Sequence, residues 1–293
     1  MPRALSRLAL ILLLLSGVTA VAQPAAVPSG VTDHFFLSSD GVRLHYLEAG
    51  PPASHTLVFV PGWTMPAWIW TPQILAFSRH YHVIAFDPRG QGDSAIPRTG
   101  YEPVRRGRDI ADLLRHVGGR RVVIVAWSLG VLDTLACIHV AGDRDLAGLV
   151  LVDNSVGEEP PPVYHPLPPR RGPPPNHAVA MRQFVRSMFR HAPPTPYLDR
   201  LTQATLRTPE NASRLLLAYP EPRSYWKEAL YSTKIPALYI VRPRWVAQGR
   251  NLVRNRPNTE MEVFENAGHA LFVDESARFN SVTEQFLRTQ IWP

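Results

Sequence analysis

Short runs of apolar residues recur along this chain and alternate with segments of helical character, and this alternation restricts the possible folds more than any other feature. A run without an alternating polar face is typical of a strand that is covered on both sides. Such strands separated by helices favour an α/β fold with a mostly parallel sheet. The pattern predicts eight strands, the first two joined by a hairpin turn, at residues 35–37, 42–47, 56–60, 81–86, 121–126, 146–152, 237–241 and 260–264.

Helical segments lie between and after these strands. The order predicts a doubly wound sheet with right-handed crossovers, whose ligands bind at the carboxyl ends of the strands. It also requires a helix between the last two strands. The other core helices are predicted at residues 68–79, 103–117, 129–141 and 277–289.

One long segment, residues 154–233, interrupts this alternation. It includes a proline-dense stretch at 157–175, which has polyproline II character and is too polar for a core. We predict that the helices after it form a cap over the strand ends, inserted between core residues 31–153 and 234–293. A loop-rich flank without a role in the site is the alternative. The cap helices are predicted at residues 176–191, 196–208, 209–219 and 224–231.

The N-terminus has the pattern of a secretory signal. Arg3 and Arg7 precede a leucine-rich run, and residues 20–22 offer a small-x-small cleavage site. We expect residues 1–22 to be a removed signal peptide, residues 23–30 a disordered tail, and the protein to be exported to the periplasm or secreted. The apolar run is shorter than the ~20 residues of a membrane span. This length favours cleavage over a retained anchor, so no integral membrane span is expected after signal removal.

The composition argues against several classes of function. The net charge is +7, but only 19% of the residues are charged and no recognition motif is present, so we expect no nucleic-acid partner. No CxxC, HExxH or clustered His/Asp pattern predicts a metal, and no phosphate-binding loop predicts a cofactor. The single cysteine, Cys137, cannot form an intramolecular disulfide and lies on a predicted apolar helix face. The oligomeric state stays open.

Ser128 joins a predicted strand to a predicted helix within the stretch VVIVAWSLGV. A serine on such a junction presents its Oγ above the sheet, where N–H groups at the helix start can stabilise an oxyanion. Glycine usually flanks such a serine on both sides, whereas here the flanking residues are Ala126 and Gly130. The motif alone predicts either a nucleophile or a serine that caps the helix.

A second candidate, His269, lies in the stretch NAGHALF directly after the last predicted strand. A glycine-flanked turn at this place presents an imidazole at the carboxyl edge of the sheet, where Ser128 is also expected. Two further motifs accompany them, VPGW at residues 60–63 and FDPRGQGDS at residues 86–94.

In these motifs and in their order the chain resembles the α/β-hydrolase family, of the capped serine hydrolase type, over nearly all of its mature length. The resemblance implies that the backbone N–H groups of Trp63 and Leu129 form an oxyanion hole. It also implies that the DPRGQGDS segment is a rigid structural turn near the site.

The acid of the triad departs from the usual pattern. In most members of the family it follows the seventh strand, but residues 241–249, VRPRWVAQG, contain no carboxylate. Some capped members place their acid one strand earlier, where this chain has Asp153. An anion there would fix the tautomer of His269. Glu158 and Glu159 are the alternative candidates for the acid, and a Ser–His dyad without an acid is a further alternative.

These residues predict an esterase-like serine hydrolase that cleaves a small-molecule ester, lactone or related acyl substrate through an acyl-enzyme. Ser128 would attack, His269 would transfer the proton and Asp153 would orient His269. Met65 and Trp127 would line the substrate pocket. Dehalogenation is not expected, because it requires a carboxylate in place of Ser128. Perhydrolase or haloperoxidase-like activity and C–C bond hydrolysis use the same triad. A non-catalytic relative that binds a ligand or partner is the alternative from another class.

Overall fold

Eight strands form one sheet in the computed structural model of the chain, which describes residues 28–118, 121–161 and 176–293. The strands are β1 (Val31–Leu37), β2 (Arg43–Ala49), β3 (Thr56–Val60), β4 (His82–Asp87), β5 (Val122–Trp127), β6 (Leu146–Val152), β7 (Ala237–Val241) and β8 (Thr259–Val263). Their spatial order is β1-β2-β4-β3-β5-β6-β7-β8. Only β1 with β2 and β2 with β4 pair antiparallel. The predicted α/β class with a mostly parallel sheet is therefore confirmed.

Ten α-helices accompany this sheet in the described residues, on both of its faces and above its carboxyl edge. They are α1 (Thr71–Phe77), α2 (Pro103–His116), α3 (Leu129–Ala141), α4 (His177–Ser187), α5 (Thr195–Arg207), α6 (Glu210–Leu216), α7 (Arg223–Ser232), α8 (Val246–Asn255), α9 (Leu271–Asp274) and α10 (Ser276–Phe286). The helix required between the last two strands is α8. None of the helices in the described ranges has the length and apolar character needed to cross a membrane. The predicted signal peptide, residues 23–27 of the tail and residues 162–175 of the proline-dense stretch lie outside these ranges.

Two helices differ in detail from the prediction. The helix expected at residues 68–79 begins as a 3-10 turn, Ala67–Trp70, and only then continues as α1. Pro72 lies in the first turn of α1, where a missing N–H has no cost, so the α-helix can start there. The helix expected at residues 277–289 ends earlier, because its last turn is a π-turn, Leu287–Ile291.

Both faces of the sheet are covered, which explains the uninterrupted apolar runs in the sequence. Along β5, Ile124 belongs to the apolar cluster on one face, which includes Leu135 of α3, whereas Val125 belongs to the cluster on the other, which includes Trp70 and Phe279. Every residue of β5 is at most 1% exposed. Burial of each such side chain contributes about 1.5–3 kcal/mol. The carboxyl end of β5, and the serine that follows it, therefore stand on a rigid base.

The turn that follows β4 is built around the buried carboxylate of Asp87. It accepts hydrogen bonds from the N–H groups of Ala67 at 2.5 Å and Asp93 at 2.8 Å, and lies 2.6 Å from Nδ1 of His45. A Cβ on Gly92 would lie 1.8 Å from an Asp87 oxygen, so only glycine fits there. His45, Asp87 and Asp93 could offer a cation one ligand atom each within 4.8 Å of one another, but the Asp87 oxygens already have these partners.

The inserted helices α4 to α7 contact the core near the carboxyl ends of the strands. The indole Nε1 of Trp63 donates to the Ser213 carbonyl at 2.7 Å, and Oγ1 of Thr208 donates to the Gly90 carbonyl at 2.7 Å. The N–H of Ala270 donates to the Met188 carbonyl at 2.9 Å. These bonds connect the insertion to three separate loops of the core.

Candidate active site

Ser128 lies directly between β5 and α3 with a φ of 55° and a ψ of −121°. A positive φ is unfavourable for a serine, and such strain is concentrated at functional sites. The turn is held by the Ser128 N–H, which donates to the Val152 carbonyl of β6 at 2.9 Å. The hydroxyl makes no capping hydrogen bond to α3. The helix-cap interpretation of Ser128 is therefore wrong for this structure.

Two glycines let the backbone pass close to this turn. A Cβ on Gly130 would lie 2.6 Å from the Val60 carbonyl oxygen, and a Cβ on Gly62 would lie 3.0 Å from Cβ of Ser128. Ala126 does not need the conformational freedom or the small size of a glycine. It pairs with Val60 in an ordinary strand and has no positive φ. Alanine on this flank is thus compatible with the sharp turn.

His269 lies in the loop after β8 and faces Ser128. Its Nε2 lies 2.8 Å from Oγ of Ser128, within hydrogen-bond distance. The loop is fixed at two points. The indole Nε1 of Trp127 donates to the His269 carbonyl at 2.8 Å, and Oδ2 of Asp274 accepts the Gly268 N–H at 2.6 Å.

Asp153 lies at the end of β6 and holds the other side of the imidazole. Its Oδ2 lies 2.6 Å from Nδ1 of His269, and its side chain has no exposed surface. The other carboxylates considered from the sequence contact different groups. Glu158 accepts hydrogen bonds from Lys227 at 2.9 Å and from the Tyr231 hydroxyl, and the exposed Glu159 lies near Arg223. The structure therefore brings Asp153, and neither glutamate, to His269.

The environment of Glu158 indicates a structural role. Burial favours its neutral form, but hydrogen bonds from Tyr231 and Lys227 outweigh this effect and lower the pKa of the Glu158 carboxyl below its ordinary value. Its charge is thus already compensated within this cluster.

Arg242 is a site residue that the sequence reasoning missed. It follows β7, at the position where most members of the family have the acid of the triad. Its Nε donates to Oδ2 of Asp153 at 2.6 Å, and its backbone N–H donates to Oδ1 at 3.1 Å. Asp153 therefore accepts from Arg242 and His269 on the same oxygen. The motif RPRW after β7 was the available signal, because it places cations where an anion was expected.

The predicted oxyanion donors flank Ser128 on two elements. Leu129 is the first residue of α3, and Trp63 lies in the loop after β3, next to Gly62. Neither backbone N–H donates a hydrogen bond to a recorded partner among the described residues. Both N–H groups could therefore stabilise negative charge on an oxygen bound at Ser128.

A cavity of about 360 Å³ opens at these side chains. Met65 and Trp127, which the sequence suggested as pocket residues, are not in its wall. Both are buried in the core, and the Trp127 ring packs behind His269 with its centroid 5.0 Å from the imidazole. The wall is formed by Ser128, Asp153, Asn154, Phe184, Ser187, Met188, Arg242, Arg244, Trp245 and His269.

Curated proteins of related sequence match part of the chain. A soluble epoxide hydrolase of a Corynebacterium species is 33% identical over 107 residues, which are 36% of each chain. A non-heme chloroperoxidase of Streptomyces lividans is 37% identical over 116 residues, 39% of this chain and 42% of the relative. The chain thus spans about two fifths of the length of these relatives.

Solved structures match nearly the whole fold. A candidate aryl esterase from Burkholderia cenocepacia superposes with a TM-score of 0.78 at 25% identity, over 89% of this chain and 100% of the other. An esterase from a Rhodococcus species superposes with a TM-score of 0.73 at 22% identity, over 88% and 99% of the two chains, which shows the fold alone. A profile of the alpha/beta hydrolase family matches residues 57–282, well over half of the sequence. The chain therefore belongs to the alpha/beta hydrolase family.

Proposed function

We propose that this protein is a serine hydrolase that cleaves a carboxylic ester, lactone or related acyl substrate through an acyl-enzyme. One observation carries the proposal: the hydrogen-bonded series from Oγ of Ser128 to Nε2 of His269 at 2.8 Å, and from Nδ1 of His269 to Asp153 at 2.6 Å. A nucleophile, a base within hydrogen-bond reach and a group that orients the base are what nucleophilic catalysis by serine requires.

In the proposed reaction, Oγ of Ser128 forms a bond to the acyl carbon while its proton moves to Nε2 of His269. The oxyanion is stabilised by the N–H groups of Trp63 and Leu129. His269 then protonates the leaving oxygen, and the bond between this oxygen and the acyl carbon breaks. In deacylation, a water molecule forms a bond to the acyl carbon while its proton moves to Nε2 of His269. The bond between the acyl carbon and Oγ then breaks, and His269 returns the proton to Ser128 as the acid leaves. Asp153 stabilises the imidazolium in both halves.

An acyl substrate is favoured over an epoxide by the chemistry of the intermediate. Attack of Ser128 on an epoxide would form an ether, which water and an imidazole cannot cleave, so the enzyme would be blocked after one turnover. Attack on an acyl group forms an ester, which a water molecule activated by His269 can hydrolyse. For this reason we do not extend the activity of the epoxide hydrolase relative to this chain.

A second candidate activity is the transfer of the acyl group to hydrogen peroxide in place of water. It is favoured by the similarity to the non-heme chloroperoxidase, and a bifunctional esterase/perhydrolase of Acinetobacter calcoaceticus is 29% identical over 97 residues. The two activities share the acyl-enzyme and differ in the acceptor. Formation of peracid from an ester and peroxide, compared with release of the acid alone, would separate them.

A fluorophosphonate probe tests the nucleophile. We expect the purified protein to be labelled at Ser128 and the Ser128→Ala variant to remain unlabelled while keeping its thermal unfolding temperature. No labelling of the folded wild-type protein would overturn the proposal. Short-chain 4-nitrophenyl esters test turnover. A ligand-induced rise in Tm without any turnover on this panel would instead favour the non-catalytic binding protein.

We also propose export, on the strength of the basic, apolar and small-x-small pattern in residues 1–22. A fusion of residues 1–30 to a reporter that is active only outside the cytoplasm should be active. A fusion in which Arg3 and Arg7 are both replaced by glutamate should be less active. Equal inactivity of both fusions would contradict the proposal.

A further inference from the structure

The cavity beside Ser128 contains more positive than negative charge. Asp153 is the one carboxylate among its described lining residues, and two guanidinium groups accompany it, those of Arg242 and Arg244. The carboxylate of Asp153 is fully buried and already accepts from Arg242 and His269. One cationic charge in the wall is therefore left without a compensating anion.

Arg244 supplies this charge. It lies in the 3-10 turn Pro243–Trp245, and its guanidinium is over the Trp245 ring with Cζ 4.9 Å from the centroid. Among the described residues no carboxylate lies within ion-pair distance of Arg244. The Trp245 ring is buried and gives the cation a fixed support. Arg244 is itself exposed, as is Arg278, but Arg278 pairs with Glu262 at 2.5 Å.

Two neutral side chains of the wall, Asn154 and Ser187, already make hydrogen bonds, and the indole Nε1 of Trp245, which has no partner among the described residues, is buried. Asn154 donates to the Ser128 carbonyl at 2.8 Å and accepts the Ser155 N–H at 2.8 Å. The Ser187 hydroxyl donates to the Phe184 carbonyl at 2.7 Å. Arg242 uses Nε for Asp153, and its Nη2 is 3.4 Å from His269, too far for a good hydrogen bond. The donors left for a ligand are therefore guanidinium N–H groups.

We propose that the acyl substrate carries a carboxylate, which binds Arg244 and the free Nη groups of Arg242 while its ester group lies at Ser128. This inference rests on the proposed serine hydrolase function and specifies its substrate class. The planar guanidinium matches a carboxylate in shape and charge. The cavity volume of about 360 Å³ is at the small end of the ~300–1,000 Å³ typical of ligand sites, so a short monoester of a dicarboxylic acid or a small acylated hydroxy acid fits it.

Matched substrate pairs test this inference. The first pair is mono(4-nitrophenyl) adipate and 4-nitrophenyl hexanoate, which have acyl chains of equal length and differ in the carboxylate. The second is 3-acetoxybenzoate and 3-acetoxybenzamide, in which the charged group is on the leaving alcohol. We expect kcat/KM for the anionic member of at least one pair to exceed that of the neutral member by about tenfold, the order of magnitude of one hydrogen-bonded charge.

Variants assign the preference to Arg244. Arg244→Gln should lower kcat/KM for the preferred anionic substrate by about tenfold, mainly through KM, and should lower kcat/KM for the neutral ester much less. Arg244→Lys should keep part of the preference. The control Arg250→Gln removes the same charge from an exposed position of α8 outside the cavity wall and should change neither substrate.

Three outcomes would overturn the inference. Wild-type protein that turns over the neutral esters as well as the anionic ones refutes the carboxylate site and leaves the proposed hydrolase standing. A preference that Arg244→Gln and Arg250→Gln reduce equally refutes the role of Arg244. If none of the four esters is cleaved and the fluorophosphonate does not label Ser128, the proposed function fails and the inference fails with it.

Discussion

Asp153 is held by contacts with residues that are distant in sequence. Its carboxylate accepts the backbone N–H and Nε of Arg242, and it lies 2.6 Å from Nδ1 of His269. Its own N–H donates to the Ile240 carbonyl at 2.9 Å, and its φ of 51° is positive. The side chain is thus directed by strained backbone and by neighbours on two other strands or loops. Backbone strain is concentrated at functional sites, and it is expected at Asp153 if this residue orients His269.

Replacement of Asp153 by asparagine should therefore have a large effect on turnover. The amide can leave His269 in the wrong tautomer and cannot stabilise the imidazolium, so we expect kcat on a 4-nitrophenyl ester to fall by up to ~10⁴. Glu159→Gln is the matched control, because Glu159 is exposed and contacts only Arg223 among its described ion pairs. A loss of activity in Glu159→Gln but not in Asp153→Asn would contradict this assignment.

At the scale of elements, the loop that carries His269 depends on α9. Asp274, the last residue of α9, does not cap α10, which begins at Ser276 without a side-chain cap. Asp274 instead accepts the N–H groups of Gly268 at 2.6 Å and Arg190 at 2.8 Å. It therefore joins the His269 loop to the segment after α4, which belongs to the inserted region.

Removal of this acceptor should loosen the His269 loop. We expect Asp274→Ala to lower the free energy of unfolding by about 1–3 kcal/mol, since two N–H groups lose their partner, and to lower kcat as well. Urea unfolding and ester hydrolysis measure the two effects. Glu262→Gln, which breaks only the exposed ion pair with Arg278, is the control. Equal behaviour of the two variants would show that Asp274 has no special role.

At the scale of the whole molecule, burial of the Cys137 thiol in the core makes stability depend on pH. Burial in the core, with a smaller contribution from Asp112 and Asp145, raises the pKa of the Cys137 thiol to about 12, against 9.0 for a free thiol. Between pH 9 and about 12, the thiol stays protonated in the folded chain, whereas it is ionised in the unfolded chain. Its contribution to stability is thus complete below pH 9 and is lost as the pH rises from there towards the folded value.

Comparison with Cys137→Ala isolates this effect from those of buried tyrosines. Between pH 9 and 12 the free energy of unfolding should fall by ~1.4 kcal/mol per pH unit more steeply in the wild-type protein than in the variant. Urea unfolding under reducing conditions at pH 8 and pH 10 measures the difference. Parallel pH dependence of the two proteins would show that the thiol is not protected by the core.

Much of this architecture could be predicted because its signals are local. Buried parallel strands such as β5 and β6 are uninterrupted apolar runs, since both of their faces are covered. The 3-10 turn at Ala67–Trp70 and the π-turn at Leu287–Ile291 were not predicted, because hydrophobic periodicity does not distinguish one helical hydrogen-bond pattern from another at helix ends.

The sequence by itself determined the fold class, the family resemblance and the order in which Ser128 and His269 reach the carboxyl edge of the sheet. Only the tertiary structure decided which carboxylate meets His269, that Arg242 shares it, and that Met65 and Trp127 are buried in the core and not in the cavity wall. The reason is physical. A strand or turn depends on neighbouring residues, whereas the contact of Asp153 with His269 joins residues 116 positions apart, and its distance depends on how the strands and loops pack.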